Sequence, residues 1–272
     1  MRKFLLPPLL ILLLVACADT TSVVSVSDQS SRISPTVRSD VTSDVTVTAA
    51  TAHVLPAAYA TVMGEVNNIW PHTGAHMRYQ QVFLGSELDI EMIDGLCLRH
   101  DELSGGRQSA VHLTVKLGPT QMDNTNLSNV FDNNYSAPPT EVFSGDITIP
   151  ATTGAGTINS FDFCIDFTTS YSHPAGSNLI VEFVNSSSTA VSHPKDACQV
   201  GAVGCTTRRV MAFNAAATTA TMADNSGLIM SFFTADPEVK VDCMEDRWVE
   251  YGFSNQGQCV RFVETEKDSR QY

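Results

Sequence analysis

The sequence predicts an all-β protein: an antiparallel β-sandwich of jelly-roll type, followed by a small disulfide-closed C-terminal appendix. Two observations predict it. Short runs of alternating apolar and polar residues recur, bounded by Gly, Pro, Asn and Ser, while long amphipathic helical periodicity is absent. After Cys17 come six further cysteines, an even number in a chain that opens with export features, which reads first as disulfides.

The alternating runs are AVHLTVKL, TEVFSGDITI, SFDFCIDF, NLIVEFV, RRVMAFNA and LIMSFF. In SFDFCIDF, Phe161, Phe163, Ile165 and Phe167 share one face, while Asp162, Cys164 and Asp166 share the other. One face therefore packs and the other is wet. Several strands at this spacing suit a sandwich spanning 53–236.

Of the six cysteines 97, 164, 198, 205, 243 and 259, local spacing pairs Cys198 with Cys205 and Cys243 with Cys259, leaving Cys97 for Cys164. Six cysteines allow fifteen pairings, and spacing alone proves none. In MIDGLCLRHD, Cys97 points away from Leu96 and Leu98, and Cys164 opposes the Phe face, so both sulfurs lie on outer faces and can bridge if their strands are neighbours. A zinc site would need thiolates two to four residues apart, which neither Cys198/Cys205 nor Cys243/Cys259 supplies.

The chain begins MRKFLLPPLLILLLVAC, with Arg2 and Lys3 before an apolar run of 13 residues, Phe4 to Ala16, broken by Pro7 and Pro8. That is the pattern of a secretory signal and is short of the roughly 20 residues a spanning helix needs. Leu14-Val15-Ala16-Cys17 resembles the lipobox of bacterial lipoproteins. The resemblance implies cleavage after residue 16, lipid on Cys17 (palmitate among its acyl chains), and, with Ala18 rather than Asp next, sorting to the outer membrane, facing periplasm or cell surface. More than one acyl chain gives stable anchoring.

Residues 17–52 carry the lipidated cysteine and a Ser/Thr/Val/Asp-rich stretch without aromatics, which reads as a disordered tether reaching about 30–35 Å on average. Without Arg2 and Lys3 the chain has 14 basic and 29 acidic residues, a formal charge of −15. No basic stripe suits phosphate backbones, so nucleic acid is not an expected partner, and the lipid is the expected membrane contact.

Blocks between residues 57 and 235, including RYQQVF, LSNVFDNNYSAPPTEVFSG and HPAGSNLIVEFV, resemble a family of secreted bacterial β-sandwich domains of uncharacterised function. The tail, 237–272, contains CMEDRWVEYGFSNQGQCVRFV, which resembles a Cys-Trp-AsnGlnGly-Cys segment found at the ends of secreted bacterial proteins, with Asp246 and Arg247 where that segment has glycines. Neither resemblance implies a reaction. Trp248, Tyr251 and Phe253 are expected to cluster beneath the bridge, with Asn255-Gln256-Gly257 as the return turn.

Candidates for chemistry are few. His72 and His76 are four apart, but Pro71 and Gly74 make exposed loop residues of them rather than a helical metal pair. A G-x-S-x-G elbow is absent. Asp162 and Asp166 are about 13 Å apart along a strand, too far for a glycosidase pair. Glu87, Asp89 and Glu91 alternate at about 6.5–7 Å, which suits inverting geometry on distance, yet they read as a solvated acidic face. Asp123, Asn124, Asn126 and Asp132 offer oxygens of the kind calcium takes, without the EF-hand glycine and glutamate; otherwise no cofactor is expected. Trp70, Tyr79 and Tyr171 would stack on sugar rings if exposed together.

These readings converge on a non-catalytic binding or structural module of the cell envelope, with a carbohydrate or surface protein as its ligand. The alternatives are a lectin-like module, a glycoside-directed hydrolase with a site assembled across loops, and an assembly module docking through its tail. A concave pocket gathering two acids, or a histidine with an acid, is what a hydrolase would need.

Overall fold

The computed structural model describes residues 53–73, 75–154, 156–188, 192–224, 226–237, 240–244, 248, 251, 253–265 and 267. Among the described residues there are thirteen strands: β1 (His53–Leu55), β2 (Val66–Asn68), β3 (Met77–Phe83), β4 (Met92–Arg99), β5 (Ser109–Thr120), β6 (Thr140–Ile149), β7 (Phe161–Ser172), β8 (Asn178–Asn185), β9 (Lys195–Gln199), β10 (Arg208–Ala212), β11 (Met222–Asp224), β12 (Ser226–Leu228) and β13 (Met230–Phe233). They form a four-stranded sheet in the order β1-β13-β4-β7, a six-stranded sheet β11-β10-β3-β8-β5-β6, and a short sheet β12-β9-β2. All named pairings are antiparallel, so the chain is an antiparallel β-sandwich.

Alternation explains the sandwich. On the six-stranded sheet Met77, Tyr79, Phe83, Val111, Leu113, Val115, Leu179, Val181 and Phe183 face inward; on the four-stranded sheet Ile93, Leu96, Leu98, Phe163, Ile165 and Phe232 meet them in one core. β5 and β7 hide every second residue, whereas β3, β4, β8 and β10 are buried on both faces. The run LIMSFF does not continue as one strand: Ile229 breaks it, its N–H turning to the Asp196 carbonyl, so Leu228 ends one sheet and Met230 begins another.

The outer face of the six-stranded sheet is also covered. Val82, Ile180 and Val210 point outward and pack against Leu127 and Phe131 of the 121–139 segment, making a second, smaller core. Asn134 pins that segment down: its amide donates to the Gln80 side chain at 2.8 Å, and its oxygen accepts the Ser128 N–H at 2.7 Å.

Cys97 and Cys164 are direct cross-strand partners in the β4–β7 ladder and are bridged, with Cα atoms 4.0 Å apart. Cys198–Cys205 and Cys243–Cys259 are the other bridges. In the tail, Asn255-Gln256-Gly257 is not a return turn. It opens a helix, α1 (Gln256–Thr265), because the Asn255 side chain accepts the Gln258 N–H at 3.0 Å and so caps the first turn. Phe253 packs with the buried Cys243 and Cys259, and Trp248, Tyr251 and Phe262 pack around them.

A bridge closing a loop of this length contributes on the order of 3 kcal/mol, and so small a segment cannot bury a core of its own. Reduction is therefore expected to expose residues 243–259 to limited proteolysis while the sandwich stays intact. Mapping of the cleavage sites by mass spectrometry with and without reductant checks this, and cleavage indifferent to reductant would contradict it.

Candidate functional site

The end of β4 and the start of β9 run antiparallel. His100 forms a backbone bridge with Lys195, and the Asp101 N–H donates to the Pro194 carbonyl at 3.1 Å. Four charged or titratable side chains are thereby buried together. Arg99 Nε donates to Asp196 Oδ2 at 2.6 Å, with both side chains 1 % exposed. Arg99 also donates to the Val62 carbonyl and lies over the Phe161 ring at 5.0 Å, and Asp196 accepts the Gly64 N–H at 2.9 Å. Glycine is required there: a Cβ on Gly64 would lie 2.0 Å from the Ala197 carbonyl oxygen.

The neighbouring pair is His100 with Lys195. Lys195 Nζ lies 2.9 Å from His100 Nε2 and 5.0 Å from the centroid of the Phe163 ring, while His100 Nδ1 lies 3.2 Å from Asp162 Oδ1. A carboxylate only accepts, so Nδ1 carries the ring proton, and Nε2 accepts from the lysine. Lys195 and His100 are sealed from solvent, whereas the Asp162 side chain is 52 % exposed. Asp162 opens on a cleft of about 400 Å³ walled by Ala151, Thr152, Thr153 and Asn159, with the sealed His100 at its base. The Asn159 amide donates to the His100 carbonyl at 3.0 Å, which ties this wall to the same junction.

Two more imidazoles lie against the chain of contacts. The His193 ring is 5.6 Å from that of His100, and its Nε2 contacts the Arg107 carbonyl. His72, expected as an exposed loop residue, is instead fully buried. Its ring packs edge-on against Phe163 at 5.3 Å and Phe183 at 5.8 Å, and among the described residues neither nitrogen has a hydrogen-bond partner. His76 is the exposed one of the two.

Burial dominates the electrostatics. It pushes Lys195 down to about 7 against the opposing pull of Asp162. Burial, then the Lys195 charge, then His100 lower His193 to about 4; burial and Lys195 lower His100 too. His72 falls well below the ordinary histidine range, by burial first and Lys195 next.

The other sequence candidates are dispersed. Asp123 Oδ1 accepts from the Thr125 N–H and hydroxyl, which lowers its pKa; Asn126 Oδ1 accepts the Asp123 N–H; Asp132 pairs with Arg78 at 3.1 Å; Asn124 is half-buried in the same turn. Among the described residues no group of three or more His, Cys, Asp or Glu has metal-holding geometry. Tyr79 and Tyr171 are buried, and Trp70 is half-buried with its ring 5.5 Å from that of Phe213. Glu87 closes a 3-10 turn and accepts the Ala57 N–H at 2.9 Å, and residues 88–91 are not strand, so the regular spacing of Glu87, Asp89 and Glu91 along a strand does not hold.

Comparisons of the chain with protein-family models, with curated proteins and with solved structures find no match. Among the described residues no helix is long and apolar enough to cross a membrane.

The pH dependence follows from these shifts. Lys195, His193, His100 and His72 all have folded pKa values below their unfolded ones, so on acidification the unfolded chain takes up protons that the folded chain refuses. Stability should rise between pH 4 and 6.5 as His193 sheds this penalty, and rise again between about pH 7 and 10.5 through Lys195. Lys195→Met should flatten the upper rise in thermal midpoint. It should also cost about 1–3 kcal/mol at high pH, where the His100 acceptor is left unpaired. Thermal melts of both forms across this range check it, and superimposable profiles would contradict it.

Proposed function

We propose that this protein is a lipid-anchored cell-envelope module, tethered to the outer membrane through Cys17, that binds a hydroxyl-rich ligand of the carbohydrate class in the Asp162 cleft without turning it over. The observation that carries the reading is the use of both His100 nitrogens. One donates to Asp162 and the other accepts from a sealed lysine, so no imidazole nitrogen is left to take or give a proton in the cleft. The contact fixes a carboxylate as a standing acceptor.

A carboxylate beside the exposed Thr153 hydroxyl and an asparagine is a hydrogen-bonding surface for neighbouring hydroxyls of one ligand. None of Trp70, Tyr79 and Tyr171 lines this cleft, so binding rests on hydrogen bonds rather than ring stacking. A hydrolase reading would need a histidine or a second acid presented to substrate, and His100 is instead held behind Asp162. Anchorage rests on the sequence: charged start, apolar run, Leu-Val-Ala-Cys17, and a polar stretch long enough to hold a domain off a membrane.

Full-length protein in detergent, applied to a glycan array, should bind a subset of glycans, and Asp162→Asn should weaken that binding about tenfold, the worth of a hydrogen bond to a charged group. Metabolic labelling with an alkynyl fatty acid should mark the chain and fail on Cys17→Ser. An empty array, or retention by Asp162→Asn, would overturn the ligand reading. Release of shortened glycans would overturn the non-catalytic one.

A further inference from the structure

Two neighbouring loops carry no charged side chain. Residues 56–64 read PAAYATVMG and follow β1; residues 199–204 read QVGAVG and lie inside the Cys198–Cys205 bridge. The Glu65 carboxylate joins them, accepting the Tyr59 hydroxyl at 2.8 Å and the Gln199 N–H at 3.1 Å, and Tyr59 packs with both cysteines. At Gly204 the loops are in close contact: a Cβ there would lie 2.5 Å from that of Ala58.

Their tips are apolar and open to solvent. Val203 is 98 % exposed, Val62 50 % and Met63 41 %, so three of the eight large hydrophobic side chains exposed among the described residues stand on these two loops. A lone exposed valine is ordinary; an uncharged apolar set on touching loops marks a contact surface.

The second loop is also stiff. The Ala202 N–H donates to the Gln199 carbonyl at 2.9 Å and the Cys205 N–H to the Ala202 carbonyl at 3.2 Å, while Gly201 and Gly204 take the positive φ these turns need. With its ends bridged, the loop presents Val203 at little further cost in entropy.

We infer that these two loops rest on the lipid surface in which Cys17 is anchored, seating Val62, Met63 and Val203 in the interface; the inference rests on the lipid-anchor reading proposed above. Place, charge and size favour a bilayer over a protein partner. The stretch 17–52 enters the fold at His53, three residues before the first loop. A tether of that length keeps the domain within about 30–35 Å of its anchor, an effective concentration in the millimolar range, so a few shallow side chains suffice. In a strongly acidic chain, these loops lack the carboxylates that anionic headgroups repel. A protein partner needs on the order of 800 Å² of shape-matched surface, whereas a lipid surface requires no matching.

Hydrogen exchange read by mass spectrometry tests this, with the full-length lipid-bearing chain on phosphatidylcholine vesicles and the Cys17→Ser chain free in buffer. Exchange across 57–64 and 199–204 should slow several-fold on the vesicles and stay unchanged over β5 and β8. Val203→Asp should weaken docking about tenfold, the worth of one buried valine, and return both loops to the free rate while the chain still floats with the lipid. Val203→Leu should keep the protection, and both variants should melt with the native chain, because the side chain is exposed. A chain that floats yet exchanges freely in both loops would overturn the docking and leave the anchor standing; one that does not float would overturn both. Protection retained by Val203→Asp would also overturn it, as would protection that grows with protein density at fixed lipid, the mark of contact between copies.

Discussion

The site hangs on one junction, where two consecutive residues leaving β4 meet two consecutive residues entering β9. Arg99 takes Asp196, and His100 takes Lys195. A buried ion pair is expensive to desolvate and becomes worthwhile only when its remaining hydrogen-bonding capacity is filled. Here it is filled by backbone: Gly64 donates to the aspartate and Val62 accepts from the arginine. The 62–64 loop, the four-stranded sheet and the short third sheet are therefore fixed by the same four atoms' worth of charge, and the removal of either partner would strand the other in the interior.

Beside that neutralised pair, the second pair is only half compensated. Lys195 has an imidazole rather than a carboxylate as its contact, and the nearest acid, Asp162, is one residue further out, at the solvent boundary. Position along this chain of contacts decides the character of each group. The lysine, deepest, tends to lose its proton; the histidine stays neutral and directional; the aspartate, outermost, faces the cleft. The buried cluster that is costly in acid also supplies the His100 contact that orients the Asp162 carboxylate, so carboxylate placement and pH sensitivity share one origin.

Much of the fold was legible in the sequence because alternation is a local signal. TEVFSGDITI is β6 residue for residue, and the facing of Cys97 and Cys164 anticipated their bridge. The site was not legible, because its members are far apart in sequence and meet only through register. Along its own strand Asp162 shares a face with Asp166, while its partner is His100, just past the end of the neighbouring strand β4. His72 does lie in a turn, as Pro71 and Gly74 imply, but its burial comes from Phe163 and Phe183 on strands distant in sequence. Nor could Asn255-Gln256-Gly257 be told apart as turn or cap, since the same asparagine serves either and the helix behind it is short.

His100 is a fixed connector between Lys195 and Asp162 rather than a free acid or base. The ring tautomer reports this directly. Long-range 1H–15N spectra of the histidine-labelled protein at neutral pH should show His100 as neutral imidazole protonated on Nδ1, with Nε2 unprotonated and perturbed in Lys195→Met. An Nε2-protonated ring, or an imidazolium at that pH, would contradict the account, because the proton would then sit where the lysine is held to donate.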